Sequence, residues 1–149
     1  MSTQYLVNKN QIGEISTGKQ AIPEKLESGQ VLCKVDRVAL TANNVTYAVT
    51  GNMLKYWDFF PTGEDGHGNV PMWGFADVIQ SENSDVPVGE RLYGYWPFGT
   101  HLVMDAAKVT PHSLVDGVEH RQHLNGIYNQ YTRTANSPCL LYTSDAADD

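Results

Sequence analysis

A mainly β fold of the α+β class, with short helices, is what this sequence predicts, and three stretches predict it. Gln30–Leu40 alternates apolar and polar residues, with Val31, Cys33 and Val35 on one face and Leu32, Lys34 and Asp36 on the other. Val70–Gln80 repeats the strand character. Val86–Met104 then holds a Gly89-Glu90-Arg91 turn, a strand at Arg91–Tyr95, a Gly/aromatic connection and a strand at Thr100–Met104.

The remaining segments fit around these strands. Ile12–Ile15 reads as a short strand or turn, and Ala21–Gly29, with Pro23 and a final glycine, as a loop. Over Thr41–Thr50 a short helix is expected, capped by Thr41 or Asn43 and ended by Gly51. Its β-branched residues make it weak by propensity. Lys55–Pro61 is an aromatic cluster, and Thr62–Asn69 a glycine-rich polar loop. Gly74 marks a bend or a close backbone approach. Ala106–Leu114 leaves the sheet around Pro111, and Val118–Tyr131 reads as helical, weakened by Gly126.

Composition excludes several classes. The chain has 149 residues, 41% of them apolar, enough for a core without disulfides or metals. Ten basic against 17 acidic residues give a net charge of −7, which argues against nucleic acid as a partner. No apolar run approaches the ~18 residues of a membrane span, and the N-terminus lacks the shape of a signal peptide. Cys33 and Cys139 have no cysteine or histidine nearby at metal spacing, so a cytoplasmic location and no metal are expected. Asn44-Val45-Thr46 fits the glycosylation pattern only by chance under that expectation.

The ordered set V-L-C-K-V-D-R-V-A-L, A-N-N-V-T-Y-A-V-T-G, W-G-F-A-D-V-I, V-G-E-R-L-Y-G and H-L-V-M resembles the N-terminal, GroES-like half of the medium-chain dehydrogenase/reductases. Relatives usually carry Gly-Asp-Arg where this chain has Gly89-Glu90-Arg91. The chain is more similar still to an uncharacterised branch, a domain of unknown function, through A-L-T-A-N-N-V-T-Y-A and Y-N-Q-Y-T-R. The resemblance implies a GroES-like, partly open β-barrel over residues 1–110. Residues 111–138 would begin the connection to a Rossmann half, and 139–149 would be a non-native tail. The Rossmann half itself is absent. Gly66-His67-Gly68 is the only G-x-G, and it lies in a polar loop without the strand–helix series that nucleotide binding requires. The chain is therefore expected to be a C-terminally truncated fragment.

The resemblance also implies the chemistry. Zinc-dependent relatives use a cysteine after the first strand and a Gly-His-Glu later. Here those places read Asn43-Asn44-Val45 and Trp73-Gly74-Phe75, without thiolate or imidazole donors. The zinc-independent quinone-reductase branch is the better analogue. There an Asn and a Tyr after the first strand approach the nicotinamide and the substrate. Tyr47 stands four residues before Gly51, as in that branch, and Asn43 is one residue out of register with its Asn. Asn43, Asn44 and Tyr47 are thus the candidate catalytic residues, orienting a carbonyl by hydrogen bonds. A capped turn with a packed tyrosine is the competing use.

Other residues have structural uses that compete with functional ones. Tyr56, Trp57, Phe59 and Phe60, with Trp73, Tyr95 and Trp96, line either a substrate cleft or the core. Alternatively they form surface that the missing half covers. Glu64, Asp65 and His67 suit a solvated loop better than a cation site. His120 and His123 suit a solvated helix face, and His101, Asp105 and Ser113 make no triad.

The expected function is the substrate-side domain of a zinc-independent oxidoreductase acting on a small molecule, inactive alone. NADP or NAD would serve the intact parent and would not bind this fragment tightly. Relatives dimerise through the nucleotide half, so a homodimer of the intact protein is allowed. The alternative is a non-catalytic binding or interaction module on the same barrel.

Overall fold

The structure is a computed structural model that describes residues 1–136. The expected tail at 139–149 lies outside the described residues.

The chain opens with an antiparallel pair, β1 (Ser2–Asn8) and β2 (Ile15–Gln20), in register from Ser2↔Gln20 to Val7↔Ile15. The alternating strand β3 (Gln30–Val38) follows, then helix α1 (Ala42–Val49) and a 3-10 turn at Tyr56–Asp58. Strand β4 (His67–Gly68) adds to the free side of β1, giving the order β2-β1-β4. The remaining strands are β5 (Met72–Ser81), β6 (Arg91–Trp96), β7 (His101–Ala107), β8 (Ser113–Asp116) and β9 (Gln130–Arg133).

Six of them form a closed barrel in the order β3-β5-β6-β9-β8-β7, with β7 pairing back to β3. The expectation of a partly open barrel is corrected here. Closure comes from β8 and β9, which lie beyond residue 110 and bridge β7 to β6. Closing the ring leaves no edge among these six strands. A second correction concerns Val118–Tyr131. In place of a helix it holds 3-10 turns at Glu119–Arg121 and Gly126–Asn129, then the start of β9.

Val31, Cys33, Ala76, Leu92, Trp96, Met104, Leu114 and Tyr131 fill the barrel, each with no exposed surface. Two glycines permit close approaches in the barrel, Gly94 of a ring and Gly74 of a neighbouring strand's backbone. A Cβ on Gly94 would stand 2.3 Å from the Tyr131 ring, and one on Gly74 would stand 2.0 Å from the Arg37 carbonyl oxygen. Trp96 Nε1 donates to the Gly74 carbonyl at 2.9 Å, which satisfies its buried N–H.

Strands β6 and β7 are neighbours in sequence yet lie on opposite sides of the ring. The connection between them crosses the barrel end and is held by β1. Tyr5 N donates to Phe98 O, and Thr100 N to Thr3 O, both at 2.9 Å. Asn69 completes this joint: its Nδ2 donates to Tyr5 O and Phe98 O, and its Oδ1 accepts from Phe98 N. The small sheet is thereby fixed to the barrel. Among the described residues no helix is long and apolar enough to cross a membrane.

Candidate functional site

Helix α1 begins where β3 leaves the barrel, and its first turn uses up one of the candidate residues. Thr41 is extended and caps the helix, its hydroxyl accepting from Asn43 N at 3.3 Å. Asn44 closes the reciprocal half of a capping box, Oδ1 accepting from Thr41 N at 2.6 Å. Its other end, Nδ2, donates to Pro71 O at 3.1 Å, which ties the helix to the chain entering β5. Asn44 is buried with both ends of its amide engaged. Asn43 is exposed on the outer side.

Tyr47, three residues after Asn44, faces the body of the protein as that spacing requires. It is half-buried, 4.5 Å from the Tyr56 ring and edge-on to Tyr95 at 5.9 Å (centroid distances). Tyr95, at the end of β6, packs against Tyr128 at 4.6 Å, Trp73 at 5.1 Å and Phe59 at 5.2 Å. Tyr56 and Tyr128 meet edge to face at 6.3 Å. Four phenols from α1, the turn after it, β6 and the turn before β9 therefore converge at one place.

Their environment keeps Tyr95 and Tyr128 protonated. Burial, then the neighbouring phenols of Tyr47, Tyr128 and Tyr56, pushes the Tyr95 pKa far above its ordinary value. Tyr128 is pushed up to about 12, chiefly by the Tyr56 hydroxyl and then by burial. Tyr95 is fully buried, and its hydroxyl finds no partner in hydrogen-bonding geometry, although Tyr47 lies close enough to act on its ionisation. At neutral pH Tyr95 and Tyr128 are O–H groups, suited to polarising a carbonyl oxygen and unsuited to removing protons.

The structure thus separates the three candidate residues. Tyr47 enters a cluster, Asn44 serves the helix cap and Asn43 points away. Of the aromatic residues expected in a cleft or the core, Tyr56, Phe59, Phe60, Trp73 and Tyr95 pack together here. Trp57 packs instead with Val7, Ala48 and Val70, and Trp96 lies inside the barrel. Tyr128 was missed. It lies in a segment read as helical, and no local pattern ties that segment to Tyr56.

The polar loop carries little chemistry of its own. His67 Nδ1 lies 2.9 Å from the Asp65 carbonyl oxygen, and the Thr62 hydroxyl bonds the loop backbone. Among the described residues no three His, Cys, Asp or Glu side chains gather as a metal-binding group.

Fold and site define a mainly β protein, a closed barrel with a cluster of phenols at the base of its one α-helix among the described residues. The chain belongs to the family described as protein of unknown function (DUF2855), whose model matches residues 38–149. The match takes in α1, the phenol cluster and the barrel strands from β5 onward. No curated protein matches the chain.

Proposed function

We propose that this chain is the substrate-side domain of a zinc-independent, nicotinamide-dependent oxidoreductase, with a GroES-like barrel of the medium-chain dehydrogenase/reductase type. The observation that carries the proposal is the meeting of Tyr47 with the buried, unpartnered Tyr95 hydroxyl. A carbonyl oxygen gains negative charge as it is reduced. A preorganised O–H donor in a partly dry site stabilises that charge. The Tyr95 phenol, held protonated by burial, suits this task better than a carboxylate would.

The nucleotide does not fit the described residues. They contain no strand, glycine turn and helix in series, and α1 follows β3 through the Thr41 cap without a glycine-rich turn. The chain's share of the chemistry is therefore to bind and polarise the substrate, and NADP or NAD is assigned to a separate domain. Asn43 is the polar residue of α1 free to face such a domain.

A second reading, a non-catalytic interaction module, draws on the outer side of α1. Leu40, Val45 and Val49 are 76%, 59% and 65% exposed. These are large apolar side chains left in solvent on α1 and just before it. Under the first reading the nucleotide domain covers the same face.

The test is NADPH oxidation with aromatic ketone or quinone acceptors by the product of the complete reading frame that contains this chain. Turnover that Tyr47→Phe lowers supports the oxidoreductase. No turnover with any carbonyl acceptor favours the interaction module. Tight NADPH binding by the 149-residue chain alone would overturn the assignment of the nucleotide to a separate domain.

A further inference from the structure

A cleft on the barrel wall plays no part in the phenol cluster. It measures about 450 Å³, inside the roughly 300–1,000 Å³ of small-molecule sites. Neither Asn43, Asn44 nor Tyr47 lines it. It lies over the outer face of β3 and β7, where Leu32 pairs with Val103, under the chain that leaves β2. Phe60 forms its wall toward the phenols.

Gln4, His101 and His120 define its polar chemistry. Gln4 Nε2 donates to Thr62 O at 3.1 Å, leaving Oε1 as an acceptor. His120 Nε2 lies 3.1 Å from the Phe59 carbonyl oxygen. A carbonyl only accepts, so this nitrogen is the donor, and in that tautomer Nδ1 is the acceptor that faces a ligand. His101 Nδ1 is bonded to the Thr100 hydroxyl at 2.8 Å, which leaves Nε2 for a ligand. Burial, with Lys34 and the α-amino group nearby, lowers the His101 pKa and keeps the ring neutral.

Charge decides the class of ligand. No Asp, Glu, Lys or Arg lines the cleft, so an ion entering it would lose hydration without a counter-charge. Lys34 stands directly across the β3–β7 ladder from His101 and opposes a cation. Two imidazoles beside that charge make a poor metal site. The rest of the lining is chiefly apolar, with Leu32, Phe60 and Leu102 among it.

We propose that this cleft binds a neutral, hydroxylated ring compound. Its hydroxyls donate to His120 Nδ1 and Gln4 Oε1 and exchange a hydrogen bond with His101 Nε2, while its ring lies against Phe60 and Leu32.

The test follows the ring signals of the five histidines by NMR while the full chain is titrated with catechol and, separately, with cyclohexane-1,2-diol. Saturable shifts at His101 and His120, and not at the other histidines, are expected with at least one diol. The stronger of the two identifies an aromatic or an aliphatic ring. His101→Ala and His120→Ala should each weaken binding roughly tenfold, the loss of about one hydrogen bond. His120 is exposed on a turn, so its variant reports even if His101→Ala fails to fold. No saturable shift with either diol, or tighter binding of benzoate or Zn²⁺ at the same signals, would overturn the proposal.

Discussion

Arg121 and Asp116 form an ion pair with 1% and 0% of their side chains exposed. Asp116 also accepts from the backbone N–H groups of Asp105 and Val118. Arg121 lies over the Phe60 ring and donates to the Tyr131 hydroxyl, which in turn donates to Tyr95 O. The pair thus joins the end of β8 to the barrel core and to the back of the phenol cluster. Removing one partner leaves a buried charge unpaired. Arg121→Met should therefore cost about 3–5 kcal/mol in urea denaturation. Adding Asp116→Asn should restore part of that loss, because the remaining charge is then gone.

Gly74 has the least room of the barrel's glycines. A methyl group there would meet the Arg37 carbonyl oxygen, which belongs to backbone and has little freedom to move. Gly74→Ala should destabilise by about 3 kcal/mol or more, beyond the usual overpacking loss. Gly13 has open space around it, and Gly13→Ala is the control in the same thermal melts.

Asn44 and Asn43 should part company when changed. Asn44→Ala removes half of the capping box and the bond to Pro71 O, and should cost about 1–2 kcal/mol. Asn43→Ala touches an exposed side chain and should stay within about 0.5 kcal/mol. Chemical denaturation of both variants checks this. Equal losses would contradict the structural role given to Asn44.

His101 supplies a pH dependence. Its pKa is lowered in the folded state by burial, by Lys34 and by the α-amino group. The unfolded chain, with a histidine pKa of about 6.5, therefore binds the proton more readily. Its contribution to stability is in place above about pH 6.5 and declines as pH falls through the lowered folded value. Urea midpoints for the native chain and His101→Gln, compared at neutral and mildly acidic pH, should show a smaller acid loss in the variant.

Strand β5 was legible because its burial alternates from Met72 to Val78. In β3 the polarity alternates from Cys33 to Asp36, although Val31, Leu32 and Cys33 are all buried, and the glycine turn before Arg91 announces β6. The first sheet was not legible, for two opposite reasons. In β1 the polar residues Ser2 and Gln4 are buried, so the polarity pattern misleads, whereas β2 is exposed almost throughout and has no pattern. Ring order was hidden as well. β6 and β7 follow one another in sequence, but the connection pinned to Tyr5 and Thr3 carries them to opposite sides. In β8 and β9, four residues each, there is too little sequence to show a period. At the site, Tyr47 came from the family resemblance and the other phenols from their clustering in sequence. Tyr128 reaches them only through the fold.

The central claim is that Tyr47 and its neighbours polarise a substrate carbonyl. It is tested most directly by titrating the chain with an aromatic ketone such as acetophenone and following tryptophan fluorescence. Trp73, 5.1 Å from Tyr95 between ring centroids, is the natural reporter. Saturable quenching that Tyr47→Phe weakens by roughly tenfold, the worth of one hydrogen bond, is the predicted result. Quenching that does not saturate, or an affinity unchanged in Tyr47→Phe, would contradict the account.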